Sequence, residues 1–378
     1  GTPVATPVDG QPAGDHPAAP VGAAKALGDP TDFQASFVAG AEYLRTMQAD
    51  ITEDNAGNGD PDDDPEDGGW DWESTVFEHS ASASPPNTYG ATARGLLEAY
   101  LLDPRTEWFT ALKDAADYIV TAGPTSIRSA SDVVYLLKFA DLPACPSPAT
   151  YQAGAQAIWD RHIGVYGTMV GLAEYIRDAR AGSYPNGIIP WDISGWVEAA
   201  MLMDAVFPAG GHAAEAAAMA EIIYDDSLDG TPTYFDVYGR CQGYTTDYSN
   251  VDYWWYTLGV HGIIRAFETA GVHTAELPAL EATLLACQYA DGSFSNQYGA
   301  PTDMNDRDWQ STAYAAMSLY ESLAPSATNL DALHRAATYL AGSQDVASGG
   351  WVYSDGVHNL EVGGESTAAV AMGWAAAG

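Results

Sequence analysis

One loop-and-helix element recurs along this 378-residue chain. Gln288-Tyr-Ala-Asp-Gly-Ser-Phe294 is followed by Gln310-Ser-Thr-Ala-Tyr-Ala-Ala-Met317. Gln344-Asp-Val-Ala-Ser-Gly-Gly-Trp351 is followed by Glu365-Ser-Thr-Ala-Ala-Val-Ala-Met372. Near the start, Asp67-Gly-Gly-Trp-Asp-Trp72 precedes Tyr89-Gly-Ala-Thr-Ala-Arg-Gly-Leu96. Spaced self-similarity of this kind means that one supersecondary unit is reused, each copy burying the face its neighbour leaves open. The glycine supplies a backbone angle other residues avoid, and the aromatic fills the gap between adjacent units.

Hydrophobic periodicity assigns the rest of the unit. Amphipathic helices are predicted over 32–47, 107–120, 151–162, 212–224, 275–289 and 330–340. More apolar helices, rich in small residues, are predicted over 89–101, 130–139, 193–206, 253–268, 311–323 and 366–377. The segment 166–180 reads as one additional helix. An amphipathic helix can face water, whereas a helix apolar on nearly every side must be enclosed. The first set therefore forms an outer wall and the second an inner one. The expected fold is all-α, a ring of six helical hairpins, an (α/α)6 toroid spanning 30–378. Ring closure leaves no terminal repeat exposed.

These loops resemble the repeats of squalene and oxidosqualene cyclases and of protein prenyltransferases. The resemblance implies the toroid architecture over residues 30–378, an architecture that also hosts cobalamin carriers, thioester domains and polysaccharide-degrading enzymes. A fold of that breadth does not select a function. Prenyltransferase zinc would need Cys and His ligands at suitable spacing, and a thioester domain would need a Gly-Cys-Gly-Glu-Gln-type motif. Neither pattern is present around Cys145, Cys241 or Cys287. No phosphate loop or dinucleotide fingerprint stands out, so no organic cofactor is expected.

Loops entering the inner helices gather at one end of such a ring, and here they are aromatic and acidic. Sugars stack on aromatic rings and hydrogen-bond to carboxylates, so the expected ligand is a glycan. Trp72, Trp191, Trp196, Tyr253, Trp254, Trp309 and Arg307 are the expected sugar contacts. Glycoside hydrolysis needs two carboxyl groups, one as acid and one as base or nucleophile. Asp192 and Asp252 are the candidate pair, with helix N-capping as the alternative role for any aspartate at these places. A lyase would instead draw on Arg307 with a tyrosine base.

Charge sets the surroundings. Fifty-one acidic residues face 14 basic ones, a net charge of −37. Nucleic-acid binding requires Lys and Arg to displace counterions, so that partner is excluded. No run is long and apolar enough to span a membrane. A high-salt habitat, bound Ca²⁺ or simple solubility would each account for the acidity, and an extracellular setting is expected. In Asp60-Pro-Asp-Asp-Asp-Pro-Glu-Asp67 and just before it, the residues Asn58, Asp60, Asp62 and Asp64 offer oxygens at alternating positions for a hard cation such as Ca²⁺. Read as Asp-x-Asp-Asp, the same stretch resembles the proton-donating motif of class II terpene cyclases, which makes a terpenoid cyclase a second alternative. Between prolines in a hydrophilic loop, however, desolvation cannot raise a carboxyl pKa far. Residues 1–29, rich in Pro, Ala and Gly, form an arm or linker without its own core. Such an arm can dock on a neighbouring copy, so a non-catalytic structural or binding subunit is the first alternative function. The chain opens at Gly1 without Met, as expected of a processed or recombinant form. Cys145 and Cys241 sit in loops that a disulfide could join, and Cys287 reads as a core thiol.

Overall fold

A computed structural model describes residues 30–49, 67–75, 89–180, 187–228, 255–295, 307–351 and 357–377. Its described helices, in chain order, are α1 (Pro30–Thr46), α2 (Tyr89–Leu102), α3 (Thr106–Ala122), α4 (Ala130–Ala140) and α5 (Pro148–Tyr166). They continue with α6 (Met169–Arg180), α7 (Ile188–Val206), α8 (His212–Ser227) and α9 (Tyr256–Ala270). The last four are α10 (Leu277–Ala286), α11 (Trp309–Met317), α12 (Ala327–Ser343) and α13 (Leu360–Ala376). Helix α11 runs on into a π turn, Ser318–Ser322.

The inner helices pack in sequence: α2 on α4, α4 on α7, α7 on α9, α9 on α11, α11 on α13, and α13 back on α2. The chain's last helix thus meets its first inner helix, which makes the body an α/α toroid. Outside this ring, α1 covers α13 and α2, α3 covers α2 and α4, and α5 covers α4. Next, α8 covers α7 and α9, α10 covers α9, and α12 covers α11 and α13. Helix α6 is the extra element, wedged among α5, α7 and α8, so the described helices are not a plain set of pairs. A two-stranded ribbon joins β1 (Glu73–Thr75) antiparallel to β4 (Val357–Asn359), linking the loop after α1 to the start of α13. A second pairs β2 (Phe294–Ser295) with β3 (Arg307–Asp308). No described helix is long and apolar enough to cross a membrane.

The repeated loop is a hydrogen-bonded joint. The Gln288 amide donates to Gly292 O at 3.1 Å within its own loop and to Ala332 O at 2.8 Å on the next outer helix, α12. Gln344 does the same with Gly349 O at 2.6 Å and Ser36 O at 3.0 Å on α1. Gln48 repeats it with Gly68 O at 2.7 Å and Ala111 O at 2.8 Å on α3. The loop aromatic locks two of these joints: Trp70 and Trp351 donate their indole N–H to Leu44 O at 2.8 Å and Leu340 O at 3.0 Å. The loop glycine is required twice over. Gly68 has φ +80°, and a Cβ there would fall 2.6 Å from Asp114 O on α3. Gly349 has φ +84°, and a Cβ there would fall 2.6 Å from Ala39 O on α1.

The inner helices meet through small residues. A Cβ on Gly364 of α13 would sit 2.6 Å from the Thr92 backbone of α2, and one on Gly262 of α9 would sit 2.6 Å from the Pro190 carbonyl of α7. This contact explains one correction to the expected elements. Helix α13 begins at Leu360, six residues before the expected start, because Gly363-Gly364 is a packing surface and not a break. Asn359 caps the helix by accepting from Val362 N at 3.0 Å.

Candidate functional site

The neighbouring inner helices α11 and α13 bring a carboxyl, a phenol and an amide together. Glu365 of α13 is 1% exposed. Its Oε1 accepts from Tyr314 OH at 2.5 Å and from the Gln310 amide at 3.3 Å, both on α11. Its Oε2 is buried and has no hydrogen-bond partner among the described residues. Burial, and then the charge of Glu361 one turn away, push the Glu365 pKa well above the ordinary carboxyl range; the Tyr314 and Gln310 bonds pull the other way without reversing it. Desolvation and a nearby like charge both disfavour the ionised form, so the proton is retained.

A second carboxyl lies in a contrasting setting. The Asp192 side chain, on α7, is 1% exposed and pairs with Arg128 Nε at 3.1 Å. That guanidinium stands 5.4 Å from the centre of the Trp191 ring. Trp191 in turn meets Tyr314 edge to face, with ring centres 5.5 Å apart. Asp192, Arg128, Trp191, Tyr314 and Glu365 therefore form one connected chain of contacts. Trp191 and Trp255 are half-buried and pack on an apolar cluster of Leu258, Tyr314, Met317, Ala368 and Met372. Trp255 holds φ +60°, a strained angle for so large a residue.

Next to Glu365 and Tyr314 the ring interior narrows to a cavity of about 20 Å³ lined also by Arg94, Lys138 and Arg265. Beside it, Ser318 Oγ lies 2.7 Å from His261 Nδ1. Burial, and next the charge of Arg94, lower the His261 pKa to about 3, so this imidazole stays neutral.

The expected site residues separate into three groups. Asp192 and Trp191 lie in the chain of contacts just described, and Asp192 is an ion-paired residue inside α7, not a helix cap. Trp72 is half-buried, its carbonyl accepting from Leu360 N at 3.0 Å at the start of α13. Trp309 is buried at the start of α11, where Asp308 caps Ser311 N at 2.7 Å, and Arg307 falls on β3. Trp196, expected to face a sugar, is instead core: it is fully buried between Trp159 and His162 and donates to Ile127 O at 2.7 Å. Asp252, Tyr253, Trp254, Cys241, the Asn58, Asp60, Asp62 and Asp64 set and the arm 1–29 lie outside the described residues. Among the described residues no group of three or more His, Cys, Asp or Glu is arranged to hold a metal ion. Glu365 and Tyr314 were not among the expected catalytic or binding residues. Their signal was in the repeat: Glu365-Ser-Thr-Ala occupies the place of Gln310-Ser-Thr-Ala, and the two equivalent side chains bond to each other.

No family model matches the sequence, and no match was found among curated proteins. Solved structures do match. A cellobiose 2-epimerase from Bacillus thermoamylovorans superposes with a TM-score of 0.56 at 13% identity, over 89% of this chain and 99% of that one. An unsaturated glucuronyl hydrolase from Streptococcus agalactiae, solved with dGlcA-GalNAc6S, gives 0.53 at 12% identity, over 93% and 96%. A glycosyl hydrolase family 88 protein from Bacteroides vulgatus gives 0.52 at 13% identity, over 75% and 90%. At these identities the likeness is one of fold, and the fold it shows is the α/α toroid that the repeats resemble.

Proposed function

We propose that this chain is a carbohydrate-active enzyme, a glycoside hydrolase in which Glu365 is the proton donor and Asp192 the second carboxyl. The observation that carries this is the difference between their surroundings. Glu365 is driven toward its protonated form by burial and by Glu361, whereas Asp192 is ion-paired to Arg128. A buried carboxyl that keeps its proton, together with a second carboxyl held in place by an arginine, supplies the two groups that acid and base or nucleophile roles require. The half-buried Trp191 and Trp255 offer faces on which a sugar ring can stack, with the reacting bond above the narrow cavity. Gln310 and Tyr314 orient the Glu365 carboxyl toward that bond. The three solved structures named above carry carbohydrate-enzyme titles, which supports the substrate class. The net charge of −37 supports an extracellular setting, and Ca²⁺ at Asn58, Asp60, Asp62 and Asp64 belongs to the same proposal.

The test is cleavage of a panel of neutral and uronate oligosaccharides, followed by chromatography of the products. We expect release of short sugars, with Glu365→Gln and Asp192→Asn each slowing the reaction about 10²- to 10⁴-fold, the usual share of one acid or base. Wild-type protein that cleaves nothing in the panel, and whose melting temperature no sugar shifts, sinks the proposal.

A non-catalytic binding subunit is the second reading, and one feature favours it. A groove of about 470 Å³ opens on the outer wall between α1 and α12, beside Phe33 and the Val346 loop. Val346 is 99% exposed there. Light scattering with and without residues 1–29 separates the readings: an arm that docks on a neighbour raises the mass of the full chain alone.

A further inference from the structure

The mouth of the ring at which the proposed site lies carries one sign of charge. Gly90 of α2 lies against Ser131 O of α4, Gly364 of α13 against the Thr92 backbone of α2, and Trp191 of α7 against Tyr314 of α11. The starting halves of the inner helices are therefore neighbours, and the chain segments that enter them converge there. Those segments are 47–88, 123–129, 181–187, 228–255, 287–308 and 344–359, and together they hold 22 acidic residues and three basic ones, Arg128, Arg240 and Arg307. The difference, 22 − 3, leaves 19 negative charges even with every base matched. The segments that follow inner helices, 103–105, 141–147, 207–211, 271–276 and 323–326, hold only three acidic residues and one basic. Arg128 is already engaged, 3.1 Å from Asp192. Deeper in the ring, Arg94, Lys138 and Arg265 stand among three acids, Glu98, Glu198 and Glu321, so no base there is spare for an anionic ligand.

We propose that the glycan taken by this site carries protonated amino groups, as an oligomer of glucosamine does, and that uronates are excluded; the inference rests on the carbohydrate-active reading above. A cleft lined by one sign of charge concentrates ligands of the opposite sign and repels those of its own. The aromatic faces suit the same ligand, because an ammonium group is attracted to an indole ring. Trp191 already has a cation beside it, the Arg128 guanidinium 5.4 Å from its ring centre, and Trp255 is half-buried nearby. The third element is Glu365. It lines the cavity, is 1% exposed, and its Oε2 has no hydrogen-bond partner among the described residues, so that oxygen is left for the ligand. A uronate at the same place would bring a carboxylate to a mouth that already holds a large excess of them, with Arg128 committed to Asp192.

The test uses the full chain carrying Glu365→Gln, so that a bound oligosaccharide stays intact, in EDTA at mildly acidic pH. Calorimetry compares three tetramers: glucosamine, which is cationic; N-acetylglucosamine, which has the same skeleton without the charge; and galacturonic acid, which is anionic. The glucosamine tetramer should bind once per chain, at least about tenfold more tightly than its acetylated counterpart in about 0.01 M salt, and the margin should shrink at about 1 M. The galacturonate tetramer should not bind. Adding Trp191→Ala should abolish the glucosamine binding. Several weak sites per chain, or binding that Trp191→Ala leaves unchanged, would mean attraction to the acidic surface at large and overturns the proposal, as does equal or tighter binding of either other tetramer. Should the Trp191→Ala variant fail to fold, a crystal structure of the glucosamine complex decides: a sugar stacked on Trp191 beside residue 365 upholds the proposal, and one bound elsewhere overturns it. A glucosamine tetramer that binds at Trp191 but is not cleaved by the wild type removes the hydrolase reading and leaves this one standing, whereas no binding of any tetramer removes both.

Discussion

Glu365 is the residue on which most of the chemistry rests, and its proton serves both activity and stability, so both fall as pH rises. A carboxyl whose folded pKa lies above its unfolded value stabilises the fold fully below the unfolded value, about 4.3 for Glu, and loses that contribution as pH rises through the folded pKa. The same deprotonation removes the proton donor. Glu365→Gln keeps an acceptor for Tyr314 and cannot ionise. We therefore expect its melting temperature to match or exceed that of the wild type on the alkaline side, while turnover is lost at every pH. Thermal scans between pH 5 and 9 check this, and a wild-type curve that rises across that range where the variant's is flat would remove Glu365 as the buried acid. Glu321 behaves in the opposite sense. Burial alone would raise its pKa, but Arg94 and then Lys138 hold it down to about 2, so its contribution is present above the ordinary Glu value and fades as pH falls toward 2. Glycines separate in the same residue-by-residue way. Gly167 has φ +81° with open space around it, so Gly167→Ala should cost only the backbone strain, about 1 kcal/mol. Gly292 has φ +97° and lies against the Arg335 carbonyl of α12, so Gly292→Ala should cost roughly 2–3 kcal/mol in urea unfolding.

At the scale of the element, the glutamine joint is the unit that is repeated. Gln288→Leu would remove both amide bonds and leave Gly292 O and Ala332 O without them, a loss of roughly 1–3 kcal/mol. Because Gln48 and Gln344 serve other joints, the double variant Gln288→Leu/Gln344→Leu should be additive within about 0.5 kcal/mol in denaturant titration. A large coupling would mean that the joints are not independent repeats. Two of these joints were legible beforehand because Gln, Gly and an aromatic lie within eight residues in each; in the third only Gly68 and Trp70 are local, and Gln48 reaches Gly68 from 20 residues away. The inner wall was legible as a class for a similar reason: only a helix rich in Ala and Gly can be apolar on every side and still approach its neighbours closely. Its ends were not. Gly363-Gly364 reads locally as a helix breaker, and only the Thr92 backbone, far away in sequence, turns it into a contact face. The π turn at Ser318–Ser322 is equally non-local, since it sets Ser318 against His261 and Glu321 against Arg94. The site was half legible. Asp192 and Trp191 announced themselves as an acid and an aromatic at a helix start. Trp196, five residues after Trp191, has the same local appearance but faces Trp159 in the core. Glu365 was placed in the loop entering the last inner helix and not singled out as the acid, because that helix was expected to begin after it.

For the whole molecule, charge is the term that conditions most directly control. A net charge of −37 on 378 residues opposes compaction, and the opposition depends on salt because the screening length falls from about 30 Å at 0.01 M to about 3 Å at 1 M. Melting should therefore climb steadily with added sodium gluconate. A flat response would mean that the acidic residues are already neutralised within the fold. Calcium acts by another route and can be told apart. If Asn58, Asp60, Asp62 and Asp64 hold the ion, millimolar Ca²⁺ should raise the melting temperature beyond what its ionic strength explains, and EDTA should return it to the starting value. Replacing Asp60, Asp62 and Asp64 with Asn should abolish that increment and leave the gluconate curve unchanged in shape. An increment that survives the triple replacement places the ion elsewhere, and no increment at all leaves screening as the means by which this chain carries its charge. The two salts thus probe two physical effects on one protein: gluconate the general repulsion and calcium the acidic loop.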